Sequence, residues 1–190
     1  MPPTFQDQLR SSMAVLRSME RQSGEIEAIA ERVCDTVLSG RLLLTCGNGG
    51  SATDAQHLAE ELVARYRATR RALPAIALTA DSSVLTCIAN DFGFEQLFAR
   101  QIEALARPGD LLLCFSTSGS SPNITAALRA ARARGAGTIA LLGKDGGAAL
   151  ALADLALVVA SQDTARIQEA HLQVLHFICE TIEVALTGEK

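Results

Sequence analysis

From Arg41 onward, five short apolar runs alternate with segments of helical spacing: RLLLTC, PAIALT, DLLLCF, GTIALLG and LALVVA. The runs lack a period-two alternation of apolar and polar residues, which is typical of strands that are covered on both faces. Strands that alternate with helices pair in parallel. The sequence therefore predicts an α/β fold, a doubly wound five-stranded parallel sheet. In such a sheet, ligands bind where the carboxyl ends of the strands lead into helices.

The first forty residues precede any strand. Apolar residues recur there at helical spacing in two stretches, Phe5, Leu9, Met13, Leu16 and Met19 and then Ile26, Ile29, Val33 and Val37. This periodicity predicts two amphipathic helices whose apolar faces need a partner surface. We therefore divide the chain into a helical oligomerisation segment, 1–40, and a sheet domain, 41–190, which together form one structural domain.

Charge and cysteine content restrict the partners and the compartment. The 17 Lys and Arg residues against 21 Asp and Glu residues give a net charge of −4, which favours neither nucleic acid nor an anionic membrane as a partner. The five cysteines are an odd number and lie mostly within apolar runs, so we expect buried thiols in a reducing compartment. The sequence has no apolar stretch of membrane-spanning length. A cytoplasmic protein is expected.

Two loops at strand ends have the composition of anion-binding sites. Cys46–Ser51 contains three glycines and leads into a helix, whose N-terminal N–H groups attract anions. It fits the dinucleotide fingerprint G-x-G-x-x-A, but the acid after the second strand, Asp81, lies 34 residues after Gly47, which disfavours nicotinamide. Ser116–Ser121 places four serines and a threonine around one glycine. It predicts either a phosphate-binding loop or an ordinary serine-rich turn.

The three histidines have different expected environments. His57 and Glu61 are four residues apart on one helix face, so they form either a metal-binding or catalytic pair or a plain surface contact. His171 falls on the apolar stripe of the last helix, which predicts a core histidine. His176 lies well away from that stripe and is the better candidate for a functional site.

The chain has one basic cluster, RYRATRR at residues 65–71, which includes its only tyrosine. We interpret it as a solvated or subunit-facing helix end, with a contact to an anionic sugar phosphate as the alternative. Nucleic acid is the least favoured partner for this cluster.

Taken together, these segments resemble the sugar isomerase (SIS) domain family, and within it the isomerases of heptose 7-phosphates. The resemblance extends along nearly the whole chain and is carried by CGNGGSATDAQHLAEEL at 46–62, RYR at 65–67, PAIAL at 74–78, ANDFGF at 89–94, STSGSSPN at 116–123, LLGKDGG at 141–147 and RIQEAHLQVLH at 166–176. It implies a flavodoxin-like sandwich that converts sedoheptulose 7-phosphate into D-glycero-D-manno-heptose 7-phosphate through an enediol. That reaction is the first step of ADP-heptose biosynthesis for lipopolysaccharide cores or related surface glycans.

The resemblance also implies a site. The family's acid and base correspond to Glu61 and His176, and its zinc ligands, with one ion per subunit, correspond to His57, Glu61, Gln168 and His176. Its substrate contacts correspond to Asn48, Gly49, Gly50, Glu61, Asn90, Asp91, Ser116, Thr117, Ser118, Ser121 and Gln168. A sister branch, a tetrameric adaptor that binds the bacterial replication initiator, is the alternative. The resemblance implies that this branch lacks the equivalents of Glu61 and His176, so the enzyme is favoured.

The implied ligands Gln168 and His176 pose a geometric problem. They are eight residues apart, which on a straight helix means a rise of ~12 Å, whereas zinc–ligand bonds are only ~2 Å long. Either Gln168 lies in a non-helical entry to the last helix, or one of the two ligands comes from a neighbouring subunit. The apolar faces of the N-terminal helices and the resemblance to homotetramers favour the second option. We expect a homotetramer whose active sites combine residues from more than one chain.

Overall fold

Five parallel strands form the sheet. The structure, a computed structural model, describes residues 4–188. The strands are β1 (Leu43–Gly47), β2 (Ala75–Ala77), β3 (Leu111–Ser116), β4 (Gly137–Gly143) and β5 (Leu155–Val159). Their order is β2-β1-β3-β4-β5, and every neighbouring pair is parallel. The predicted fold class is confirmed, and this strand order is the flavodoxin-like one.

Helices cover both faces of the sheet. They are α1 (Phe5–Ser18), α2 (Ser23–Leu38), α3 (Gly50–Val63), α4 (Ser82–Phe92), α5 (Ala99–Leu105), α6 (Pro122–Ala133), α7 (Gly147–Leu150) and α8 (Thr164–Thr187), with 3₁₀ turns at Met19–Gln22 and Phe94–Gln96. α2, α3 and α8 share one apolar core with the sheet, and α4 to α7 share the other. Successive strand residues alternate between these cores: Leu43 belongs to the first and Leu44 to the second. Both faces are therefore buried, as the continuous apolar runs predict.

The two N-terminal helices form as predicted but differ in burial. α1 begins with a capping box, in which the Thr4 hydroxyl accepts a hydrogen bond from the Asp7 N–H and the Asp7 carboxylate accepts one from the Thr4 N–H. α1 contains no buried residue, whereas α2 buries Ile29 and Val33 completely. The exposed apolar stripe of α1 consists of Phe5, Leu9 and Met13, which are 80%, 49% and 44% exposed.

A buried arginine joins the first helix to the last. Arg166, in the first turn of α8, donates hydrogen bonds to the Gln8 carbonyl oxygen (2.9 Å) and to Ser12 Oγ (2.5 Å). Its guanidinium also pairs with Glu169 at 2.8 Å. Because a buried guanidinium needs such partners, α1 is held in a defined place on α8.

Two expectations about local structure need correction. The basic run at 65–71 is an irregular segment rather than a helix end, because α3 already ends at Val63. Cys87 is exposed, because α4 is a surface helix that buries only Ile88, while the other four cysteines are buried as expected. Within residues 4–188, no helix is long and apolar enough to cross a membrane.

Candidate active site

The two loops at the strand ends are neighbours, because β1 pairs with β3. Asn48 and Asn123 exchange two side-chain hydrogen bonds of 2.9 and 2.8 Å, which hold the loops together. Ser116 Oγ accepts a hydrogen bond from the Gly119 N–H at 3.1 Å, so the serine loop folds back on itself. A cavity of about 240 Å³ lies between the loops. It is lined by Asn48, Gly49, Gly50, Ser51, Phe115, Ser116, Thr117, Ser118, Ser121, Thr164 and Gln168.

This cavity contains most of the predicted substrate contacts. Of the eleven residues predicted, only Glu61, Asn90 and Asp91 are missing from its lining. The other eight offer hydroxyl, amide and backbone N–H groups next to the start of α3, where the helix dipole favours an anion. The arrangement suits a phosphate monoester held by neutral donors.

The turn after β4 forms a wall of the serine loop. Gly119 and Gly147 both have positive φ, 62° and 51°. A Cβ atom on Gly119 would overlap the Gly146 carbonyl oxygen, and one on Gly147 would overlap the Ser118 carbonyl oxygen. The two backbones therefore touch, and only glycine fits at these contacts.

α3 and α8 lie side by side and carry the remaining predicted groups. At the start of α3, a Cβ atom on Gly50 would lie only 2.5 Å from Gln168 Nε2. Seven residues further along α3, the His57 ring lies 5.3 Å from the ring of His176, centroid to centroid, at an interplanar angle of 79°. The later residue of α3, His57, lies near the later residue of α8, His176, so the two helices run parallel.

His57, Glu61 and His176 form what we call the histidine cluster. His57 Nε2 lies 3.2 Å from Glu61 Oε1 within α3, and the His176 ring reaches the His57 ring from α8. All three residues are partly exposed, so the cluster is open to solvent on one side. A single chain thus places each of the predicted acid–base residues, Glu61 and His176, against His57, a further predicted zinc ligand.

Gln168, Asn90 and Asp91 lie elsewhere. α8 begins at Thr164, so Gln168 is helical, and the option of a non-helical entry to α8 is wrong. Gln168 lines the cavity at the other end of α3, roughly two turns from the histidine cluster. Asn90 and Asp91 are exposed on α4, and the Asn90 amide donates to the Asp91 carboxylate at 2.7 Å.

The histidine cluster suits a zinc ion in the chemistry of its donor atoms, but among the described residues the group whose ligand atoms all lie within 4.8 Å of one another is His57, Glu60 and Glu61, without His176. Imidazole nitrogen and carboxylate oxygen are both zinc ligands, and the separation of 3.2 Å between His57 Nε2 and Glu61 Oε1 is close to the ~3.4 Å between two ligands of a tetrahedral ion. Three protein ligands with an open fourth position are typical of catalytic zinc sites. Within one chain, Gln168 does not reach this group.

Asp54 is an electrostatic feature that sequence analysis missed. It lies one turn before His57 on α3, and its Oδ2 is buried without a hydrogen-bond partner among the described residues. Burial raises the pKa of this carboxyl to about 6, although His57 opposes the effect. The sequence does not reveal this raised pKa, because it results from burial of the carboxyl by residues that are brought over α3 only in the folded chain.

Sequence analysis also missed the side chains that pack on His176. The irregular segment 64–71, which we call the strap, places the Tyr66 ring 6.0 Å from the His176 ring. Tyr66 Oη donates to Glu180 of α8 at 3.3 Å, and Arg67 donates both to Glu180 at 2.6 Å and to Tyr66 Oη at 3.1 Å. The RYR motif at 65–67 drew attention to this segment, but the sequence did not predict that Tyr66 packs on His176.

His171 is a core histidine, as predicted. It is fully buried, and its Nε2 lies 3.1 Å from the Leu142 carbonyl oxygen. Burial lowers its pKa to about 4, and the hydrogen bond to Leu142 opposes this only in part. The residue is therefore neutral at physiological pH and is separate from the histidine cluster.

The fold and the sequence define the class of protein. Residues 5–143 match the family described as the SIS domain. A phosphoheptose isomerase from Trichlorobacter lovleyi is 50% identical over 182 residues, covering 95% of this chain and 93% of the relative, and one from Roseiflexus sp. is 52% identical over 184 residues, covering 96% and 93%. The solved structure of phosphoheptose isomerase from Neisseria gonorrhoeae superposes with a TM-score of 0.87 at 39% identity, covering 95% of this chain and 99% of that one.

The chain belongs to the SIS domain family and, within it, to the phosphoheptose isomerases. The resemblance predicted from the sequence is confirmed. The alternative, an adaptor of the replication initiator, is not supported by these relatives.

Proposed function

We propose that this protein is an aldose/ketose isomerase that converts sedoheptulose 7-phosphate into D-glycero-D-manno-heptose 7-phosphate, the first step of ADP-heptose biosynthesis for lipopolysaccharide cores or related surface glycans. The observation that carries this function is the histidine cluster, which assembles a carboxylate and two imidazoles on the helix that also forms part of the anion cavity. The phosphoheptose isomerases that share half of its residues support the same reaction.

Glu61 and His176 form the proposed acid–base pair. The isomerisation moves a proton between C1 and C2 through an enediol, which needs one group at the carbon-bound proton and a second group at the oxygens. Glu61 and His176 come from different helices, so they approach a bound sugar from different directions. His57 contacts both sides of the pair: its Nε2 lies 3.2 Å from Glu61 Oε1 and its ring lies against His176.

His57, Glu61 and His176 would hold a zinc ion, with Gln168 of a neighbouring chain as the proposed fourth ligand. A bound zinc ion polarises the carbonyl and enediolate oxygens as a Lewis acid. The role of the chain itself is to hold these side chains on two packed helices, to bind the phosphate in the cavity and to move the protons.

The phosphate is proposed to bind in the cavity between the glycine and serine loops. Ser116, Thr117, Ser118 and Ser121 supply hydroxyl groups there, and Asn48 to Gly50 add backbone N–H groups at the start of α3. Hydrogen bonds to a charged phosphate contribute ~1.5 to 3 kcal/mol each.

A homotetramer completes the proposed site. Within one chain, Gln168 lines the cavity rather than the histidine cluster, and Asn90 and Asp91 are exposed on α4 outside the cavity lining. These three predicted contacts fit a site that is shared between chains. The exposed stripe of α1 supports a role of residues 1–40 in that assembly, of which residues 1–3 lie outside the described part of the chain. We place the enzyme in the cytoplasm and expect a small sugar phosphate, rather than nucleic acid or a membrane, as its ligand.

The test is a coupled assay of the purified protein with sedoheptulose 7-phosphate, with zinc content measured on the same samples. Wild-type turnover is expected, and Glu61→Gln should reduce kcat by at least ~100-fold, in line with the usual effect of a general acid or base. Glu103→Gln, an exposed carboxylate on α5, is the matched control. No turnover by the wild type, or full activity in Glu61→Gln with normal zinc content, would contradict the proposal.

A further inference from the structure

The strap is anchored to α8 by a buried carboxylate. Glu183 is only 9% exposed, and its two carboxylate oxygens accept hydrogen bonds from the backbone N–H groups of Arg67, at 3.2 Å, and of Ala68. Removing a carboxylate from water costs several kcal/mol unless such bonds replace the lost hydration. The contact therefore fixes the path of the strap over α8.

Arg70, further along the strap, binds the end of α3. Its Nη2 donates to the Glu61 carbonyl oxygen at 2.6 Å, and its Nη1 donates to the Leu62 and Arg71 carbonyl oxygens, both at 2.9 Å. The last carbonyl groups of a helix lack partners within the helix, and a cation there also interacts favourably with the helix dipole. Arg70 thus fixes the last turn of α3, which carries Glu61.

Tyr66, near the beginning of the strap, contacts the other half of the acid–base pair. Its ring is tilted by only 32° from the His176 ring, and its hydroxyl is held by Glu180 and Arg67. His176 is therefore packed between His57 on one helix and Tyr66 on the strap. The strap touches both residues of the pair, through the backbone of Glu61 and the ring of His176.

We propose that the strap sets the position of Glu61 relative to His176, with Arg70 and Tyr66 as positioning residues and Glu183 as the anchor. The proposal rests on the proposed function, since it concerns the same site. Displacements of about 1 Å between catalytic groups reduce rates by up to ~100-fold. Because the phosphate cavity lies at the opposite end of α3, a disturbed strap affects kcat and leaves KM for the sugar phosphate nearly unchanged.

Two arginines that donate to backbone carbonyl oxygens, one within the strap and one outside it, allow a matched test. Arg70→Met should reduce kcat ~10- to 100-fold with KM within ~2-fold of wild type. Arg70→Lys keeps the charge but loses the forked donor, so it should recover only part of kcat. Arg41→Met is the control, because Arg41 donates to the Pro108 carbonyl oxygen at 3.2 Å and lies outside the strap. Thermal unfolding of all three variants measures any loss of stability separately.

Tyr66 gives a second test with a readout that does not depend on activity. Tyr66→Leu should weaken zinc binding ~10-fold in titration calorimetry with zinc alone, because groups that orient a ligand side chain influence metal affinity by about that factor. Tyr66→Phe retains the ring against His176 and should restore most of that affinity.

The outcomes separate the two proposals. If the wild type does not turn over sedoheptulose 7-phosphate, the proposed function fails, while the zinc affinities of the Tyr66 variants still test the strap. If Arg70→Met matches Arg41→Met in kcat and Tyr66→Leu matches the wild type in zinc affinity, the strap does not position the pair and the inference is overturned.

Discussion

At the scale of single residues, the two histidines of α8 show how rotation around a helix assigns a role. His171 and His176 are five residues apart, which places them ~140° apart around the axis. His171 faces the sheet, where Leu142 and Phe115 surround it, and His176 faces α3 and the strap. The same side chain is a neutral packing residue in one place and a proposed proton carrier in the other.

His171 should make the protein sensitive to acid. Its folded-state pKa of about 4 lies below the ordinary value of 6.5, so protons bind the unfolded chain more tightly. The stabilisation that neutral His171 contributes is complete above pH ~6.5 and is lost as the pH falls toward 4, at up to ~1.4 kcal/mol per unit. Urea unfolding at pH 7.5 and pH 4.5 should show a smaller loss of stability for His171→Gln than for wild type. Equal losses in both proteins would contradict this account.

At the scale of elements, the contact between the serine loop and the turn after β4 determines phosphate binding. Gly147→Ala places a methyl group against the Ser118 carbonyl oxygen and should displace the serine loop. We expect KM for the sugar phosphate to rise at least ~10-fold, the effect of losing one hydrogen bond to a charged group. Steady-state kinetics over a range of substrate concentrations would measure it.

Gly40→Ala controls for backbone strain in that experiment. Gly40 also has positive φ, 80°, but nothing lies within 4 Å of a Cβ atom placed on it. The variant should lose ~1 kcal/mol of stability and keep the wild-type KM. A rise in KM of equal size in both variants would show that strain alone, and not the contact between the loops, causes it.

The elements that could be predicted are those with a local signal. The five apolar runs became the five strands, and the glycine and serine loops fell at the ends of β1 and β3 as expected. The strap could not be predicted, because its path depends on Glu183, more than 110 residues further along the chain. For the same reason, the pairing of His57 with His176 required knowing that α3 and α8 are neighbours.

At the scale of the whole molecule, the separation of Gln168 from the histidine cluster within one chain predicts that subunits share each active site. If sites are shared, mixing Gln168→Ala protein with His176→Ala protein under conditions of subunit exchange should restore part of the activity. Glu61→Gln mixed with His176→Ala should stay inactive, because one chain contributes both residues to the histidine cluster. Light scattering on the same mixtures would report the oligomeric state.

Two results would contradict the shared site. One is a fully active monomer. The other is a mixture of Gln168→Ala and His176→Ala chains that exchanges subunits and stays as inactive as its components.

The attachment of α1 to α8 by Arg166 also has a consequence for biosynthesis. α1 is synthesised well before α8, the helix on which it docks. At translation rates of ~5 to 20 residues per second, the ~150 residues between α1 and Arg166 take roughly 7 to 30 s. During that interval Arg166 cannot hold Gln8 and Ser12, so the nascent α1 is undocked and accessible to chaperones.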